Sequence, residues 1–182
     1  PTDHYVPDEE KQRACLAKGI HSALKGESGF VVLGLKPKGP STGFGYIKIK
    51  KGAGAEKGNC RVERFVEKPH LARARRYVAS GKYLWNTGVF IFRVAALIEA
   101  IKEHAPEIYS CLKRAGAQEG LYEKMPDVSI DYAIMEKVKG IRCVRGSYRW
   151  SDVGSFDSLK KVLKRESRRF VAEDGKVLKI LP

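Results

Sequence analysis

The chain has little of what marks several common classes of protein. Its 182 residues include 4 cysteines, 4 histidines, 2 tryptophans and 2 methionines. The cysteines, Cys15, Cys60, Cys111 and Cys143, are scattered along the chain. None forms a C-x-x-C pair, and none is spaced with the histidines as zinc ligands are, which argues against a zinc site. The plain reading is reduced thiols in a cytosolic protein and not a disulfide framework, so a cytoplasmic location is expected. No apolar run approaches the ~20 residues needed to span a bilayer, and no signal peptide is visible. Internal repeats and low-complexity tracts are also lacking. Acidic residues are the scarcer charge: 35 Lys and Arg stand against 21 Asp and Glu, a formal net charge of +14. That balance suits an anionic partner, whether nucleotide, sugar phosphate, nucleic acid or membrane surface.

The positive residues are spread out, with two clusters, Arg73-Ala74-Arg75-Arg76 and the run from Lys160 to Arg169. Neither has aromatic residues placed to stack bases, and no RRM, KH or helix-turn-helix signature is present. Both clusters read as solvated helix faces, so neither a nucleic-acid nor a membrane partner is expected.

The length is that of one ordinary domain, and 43% hydrophobic residues suffice for a core. Pro1-Thr2-Asp3-His4 has no initiator Met and leads at once toward a helix, so further sequence is expected upstream. Pro7-Asp8-Glu9-Glu10 has the chemistry of a helix start, and Leu16, Ile20, Ala23 and Leu24 recur at helical spacing, predicting a helix over 8–25. Phe30 to Leu35 is a short apolar run predicting a buried strand. Residues 46–50 alternate as a strand does, and 61–67 form its return. Just before residue 46, Gly43 and Gly45 allow close approach of backbone to a ligand. No helix follows them, so a dinucleotide-binding reading is rejected. A basic helix over 71–80 ends at Gly81, and Val89 to Phe92 is an apolar strand. Helices are predicted to end near His104-Ala105-Pro106 and to span 107–115. Ser129 is read as the N-cap of a helix carrying Ile130, Ile134 and Val138, residues 141–144 as a strand, and Ser155 onward as a helix. Residues 177–181 read as a last strand or the beginning of a further segment. The pattern of strand, helix and strand predicts an α/β fold with a mixed, mostly parallel sheet flanked by helices.

The stretch Phe65-Val66-Glu67-Lys68-Pro69 places a carboxylate and an ammonium at a strand end. There Glu67 can accept hydrogen bonds from sugar hydroxyls and Lys68 can neutralise a phosphate. The plain alternative is a surface ion pair beside a turn. Asn86, just before an apolar strand, is either a turn residue or a ligand-facing amide.

Six stretches in this order resemble the sugar 1-phosphate nucleotidylyltransferases, most closely the mannose-1-phosphate guanylyltransferases. They are residues 1–4, Thr42-Gly43-Phe44-Gly45-Tyr46-Ile47, Phe65-Val66-Glu67-Lys68-Pro69, Leu84-Trp85-Asn86-Thr87-Gly88-Val89-Phe90, the stretch from Ser129 to Lys137, and Trp150-Ser151-Asp152-Val153-Gly154-Ser155. Together they span residues 1 to about 160. The family's glycine-rich signature loop, which wraps the nucleotide phosphates, has no counterpart here. The resemblance therefore implies a partial domain of the Rossmann-like, nucleotide-diphospho-sugar transferase type. Residues 1–165 would be the C-terminal sugar-binding part, and 166–182 an extension or the start of a further segment.

The implied reaction makes GDP-mannose and pyrophosphate from GTP and mannose 1-phosphate with Mg²⁺. The resemblance gives Asp3 and Asp152 as metal-binding and catalytic, and Lys68 as catalytic and phosphate-binding. Gly45, Glu67, Asn86 and Thr87 join Lys68 as substrate-binding residues. Asp152 would otherwise be a helix cap, Asp3 a turn residue, and Asp131 a first-turn helix carboxylate. Without the signature loop, the chain by itself is expected to turn over poorly. The alternative is a non-catalytic sugar-phosphate-binding or regulatory subunit. An open sheet edge left by a missing half would need covering, so a homo-oligomer or pairing with an N-terminal half is expected.

Overall fold

The computed structural model describes residues 3–26, 28–50, 58–114, 122–166, 170–171 and 177–178. The chain divides into two compact units, one of residues 13–147 and one joining residues 1–12 to 148–182.

In the larger unit, α1 (Glu9–Lys25), whose first residues are counted with the other unit, carries Glu9 and Glu10 in its first turn and Lys25 in its last. Those charges oppose the helix dipole at both ends. The strands β2 (Phe30–Leu35), β3 (Tyr46–Ile49), β4 (Asn59–Val66), β5 (Tyr83–Phe92) and β6 (Arg142–Gly146) close into one five-stranded ring in the order β2-β5-β3-β4-β6. Closure depends on β4, whose residues 59–61 pair with β6 while residues 62–66 pair with β3. Every residue of β2 is buried, as its apolar sequence predicts for a strand paired on both edges.

Only the β2–β6 ladder is parallel, and the other four are antiparallel. The sheet is thus mixed, and the expectation of a mostly parallel one is corrected. The physical reason is that β3 and β4 run out and back as neighbours, and β5 then pairs antiparallel to both β2 and β3. Ring closure also means that this sheet has no open edge among the described residues, contrary to the edge expected from a missing half.

Around the ring lie α2 (Leu71–Ser80), ended by Gly81, and the pair α3 (Val94–His104) and α4 (Pro106–Arg114). The helix expected after Ser129 is instead a single π-helical turn, Asp131–Met135. Ala133, Ile134 and Met135 of that turn are buried with Phe30, Val32, Ile47, Phe65 and Leu84 in one core cluster. Each large apolar side chain so buried is worth ~1.5–3 kcal/mol. Residues 83–88, expected as a lead-in to an apolar strand, belong to β5 itself, whose register against β2 shifts between Val32 and Gly34.

In the other unit, β1 (His4–Tyr5) pairs antiparallel with β7 (Ser151–Asp152), followed by α5 (Phe156–Glu166). Arg149 ties the two chain segments together. Its backbone N–H donates to Asp8 Oδ2 at 2.8 Å and its guanidinium to both carboxylate oxygens. This pairing holds the Asp8 carboxyl down at about 2. β8 (Phe170–Val171) pairs antiparallel with β9 (Val177–Leu178). Of the expected last strand, residues 179–181 lie outside the described residues, as do Pro1, Thr2 and most of the turn between β3 and β4.

Candidate functional site

Within the larger unit, the ends of β3, β4 and β5 and the π-helical turn gather a small set of polar groups. Glu67 follows the last residue of β4, and its side chain is 10% exposed. Its Oε1 lies 3.6 Å from Nζ of Lys68. Its Oε2 is buried and, among the described residues, has no hydrogen-bond partner. A buried acceptor left open is costly unless something arrives to satisfy it.

Oε2 faces Gly45. A Cβ built on Gly45 would collide with that oxygen and stand 3.2 Å from Cβ of Asn86. Glycine here allows the close approach of the Glu67 carboxylate. Asn86 is 7% exposed and fully oriented by its neighbours. Its backbone N–H donates to the Gly45 carbonyl at 2.8 Å, its Oδ1 accepts from Gly88 N–H at 3.1 Å, and its Nδ2 donates to Asp131 Oδ1 at 3.3 Å. So Asn86 sits inside a strand, with its amide held by Asp131 and Gly88.

Burial raises the Glu67 carboxyl to about 7, helped by the Asp131 charge and opposed by Lys68. Burial also pushes Asp131 up from its ordinary value. Lys68 is the only described non-glycine residue with positive φ, at 41°. The backbone there is strained, and the ammonium is held on an exposed side chain beside the buried carboxylate.

Thr87 is placed differently. It is 1% exposed, and its hydroxyl donates to the Leu33 carbonyl at 3.0 Å. That bond ties its side chain to the neighbouring strand β2. Asp131 joins the cluster as the partner of the Asn86 amide. Glu136 lies in the stretch from Ser129 to Lys137, and its Oε1 accepts the backbone N–H of Glu67 at 2.9 Å. Only its charge, five residues after Asp131, hinted at this in the sequence.

In the other unit, Asp3 and Asp152 come together. Their convergence arises from the two-residue antiparallel ladder, in which His4 faces Asp152. The Val153 N–H donates to the Asp3 carbonyl at 3.0 Å, and Gly154 N–H to Asp152 Oδ1 at 2.6 Å. A Cβ on Gly154 would stand 2.8 Å from Asp152 Oδ1 and 3.6 Å from Asp3 Oδ2. Both carboxylates thus lie beside Gly154. Asp152 is not the cap of α5. Ser155 fills that role, its Oγ accepting from Ser158 N–H at 3.2 Å. Among the described residues no group of three or more metal-ligating side chains is found. A pair of carboxylates still fits Mg²⁺, which takes one or two and fills its shell with phosphate oxygens and water.

The chain is similar to several known proteins. A protein of Pseudomonas aeruginosa described as alginate biosynthesis protein AlgA is 39% identical over 98% of this chain and 39% of its own length. A mannose-1-phosphate guanylyltransferase of Sinorhizobium fredii is 34% identical over 98% of the chain and 35% of its own length. A crystal structure described as mannose-1-phosphate geranyltransferase from Thermus thermophilus superposes with a TM-score of 0.80 at 42% identity, covering 90% of this chain and 48% of that one. The chain spans about two fifths of the length of these curated relatives. The nucleotidyl transferase family model matches residues 3–168, and the chain belongs to that family.

Proposed function

We propose that residues 1–165 are the sugar-phosphate-binding part of a nucleotidyltransferase that makes GDP-mannose and pyrophosphate from GTP and mannose 1-phosphate. The observation that carries this reading is the buried, unpartnered Glu67 Oε2, facing Gly45 and Asn86 with Lys68 beside it. An acceptor of this kind suits the hydroxyls of a sugar, and a neighbouring ammonium suits its phosphate. The relative named mannose-1-phosphate guanylyltransferase supports the choice of mannose and guanosine.

In this reaction an oxygen of the sugar phosphate attacks the α-phosphorus of GTP. A bond forms from that oxygen to phosphorus, the bond from phosphorus to the bridging oxygen breaks, and pyrophosphate leaves. The attacking group belongs to the substrate, so no side chain acts as nucleophile. The protein's task is to bring two anions together and hold them. Glu67 and Asn86 orient the sugar through its hydroxyls, and Lys68 binds its phosphate. Asp3 and Asp152 would hold Mg²⁺, which supplies neutralising charge for phosphate oxygens.

Calorimetric titration of the chain with mannose 1-phosphate and Mg²⁺ tests the reading. A charge-assisted contact to phosphate is worth ~1.5–3 kcal/mol, so Lys68→Ala is expected to weaken binding by about tenfold or more. Equal binding by the variant would overturn the assignment.

A further inference from the structure

Two carboxylates on one short turn hold two of the site residues from behind. Asp131 accepts the Asn86 amide at the end of one strand pairing, and Glu136 accepts the Glu67 backbone N–H at the end of another. In an α-helix, residues five apart lie ~140° apart around the axis and would point to different sides. Here the turn is π-helical, and the Glu136 N–H donates to the Asp131 carbonyl at 3.0 Å, an i→i+5 bond. That bond stacks residue 136 above residue 131, so the two side chains can serve one side of the turn. The middle of the turn is fixed by burial, since Ala133, Ile134 and Met135 are all within the core. The extra residue thus has a visible consequence: one rigid element reaches both Asn86 and Glu67.

The Glu67 amide is a telling place to grip. It precedes Lys68, the described non-glycine residue with φ of 41°. A turn strained in this way persists only when its surroundings over-determine it. The Glu136 carboxylate is an anchor for that turn across 69 residues of sequence.

We infer that Glu136 is a positioning residue: through the π-helical turn it fixes the backbone of Glu67, and thereby aims the Glu67 carboxylate and the Lys68 ammonium at the sugar phosphate. The inference rests on the functional reading above for the identity of the ligand, but not for the positioning itself.

Two measurements on the same chain separate the two. The first is amide hydrogen exchange at Glu67, followed by NMR without ligand in the wild type, Glu136→Ala and Glu136→Gln. Alanine removes the acceptor and is expected to speed exchange about tenfold, while glutamine still offers an oxygen and keeps the protection. Protection within β2 is the control for folding, and its loss in Glu136→Ala would count against a local role. The second is the affinity for mannose 1-phosphate, expected to fall about tenfold in Glu136→Ala and to stay within about twofold of wild type in Glu136→Gln. Unchanged Glu67 exchange in Glu136→Ala would overturn the positioning role whether or not the sugar phosphate binds. A wild-type chain that binds no mannose 1-phosphate, with the exchange contrast intact, would overturn the functional reading alone.

Discussion

Replacing Glu67 by Gln should make the protein more stable in alkaline solution and worse at binding its ligand. In the folded chain the Glu67 carboxyl sits at about 7 against an ordinary 4.5, chiefly because burial disfavours its charged form. A raised carboxyl pKa means that between these two values the folded state holds more protons than the unfolded one. Stability therefore falls as pH rises from about 4.5 to 7 and stays lowered above it. Converted directly, the shift is worth at most ~3 kcal/mol. Solvent reaches the cluster through the exposed Lys68 side chain, and screening lowers this to ~1–2 kcal/mol. Gln carries no charge at any pH. Glu67→Gln is thus expected to match wild type near pH 5 and to gain ~1–2 kcal/mol near pH 8.5, a rise in Tm of about 2–6 °C for a chain of this size. Thermal unfolding followed at both pH values, beside titration with mannose 1-phosphate, reads both effects. An equal gain at both pH values, or none at pH 8.5, would refute the claim that a buried ionised carboxylate is the cause.

Two further predictions concern Gly45 and the Asp3–Asp152 carboxylates. Gly45→Ala places a methyl group against Glu67 Oε2, the free end of a side chain, so the fold should survive while the carboxylate is displaced. Its expected signature is mannose 1-phosphate affinity lowered about tenfold with far-ultraviolet circular dichroism unchanged, and undiminished affinity would contradict the close approach. For the carboxylate pair, Mn²⁺ added in place of Mg²⁺ should broaden the Gly154 amide resonance in the wild type. That broadening is expected to vanish in Asp3→Asn and in Asp152→Asn, and its persistence in both would remove these residues as metal ligands.

Much of the architecture was legible because it is local. The acidic start at Glu9 and Glu10 marked where α1 begins, although Ile20 and Leu24, expected on its apolar face, are exposed and Cys15, Gly19, Ser22 and Ala23 are the buried ones. The continuous run from Phe30 to Leu35 marked a strand buried on both faces, and Gly81 stopped α2 where its left-handed backbone was needed. Glu67, Lys68 and Asn86 could be singled out because a polar residue at the border of an apolar strand demands a reason. What escaped depends on partners distant in sequence. The β1–β7 ladder is two residues long on each side, too short to leave a periodicity. The antiparallel majority of the sheet depends on which strands meet, and an apolar run looks the same in either direction. Trp85-Asn86-Thr87-Gly88 did not read as strand because two of its residues are polar. In the folded chain both are satisfied, Thr87 by the Leu33 carbonyl and Asn86 by Asp131 and Gly88. Likewise the π-helical turn was read as the start of an ordinary helix, since the same apolar residues at 130, 134 and 138 suit either winding at that length.

The cluster around Glu67 is costly for the folded chain on its own. An acceptor is buried without a partner, a lysine is held at positive φ, and Asp131 and Glu136 add like charge near Glu67. The first of these costs is of a kind that a sugar phosphate would offset. Hydroxyls would donate to Oε2, and a phosphate would give the Lys68 ammonium a stronger partner than the carboxylate 3.6 Å away. Neither group alone does both, because a bare phosphate leaves Oε2 unsatisfied and an unphosphorylated sugar leaves Lys68 pointing to solvent. The stability needed to hold such a site comes from elsewhere in the same unit, from a ring of strands with no open edge and from the buried middle of the π-helical turn. Rigid surroundings and a locally unfavourable cluster are then parts of one arrangement: the ring keeps the strained turn from relaxing, and the unrelaxed turn is what leaves Glu67 and Lys68 available.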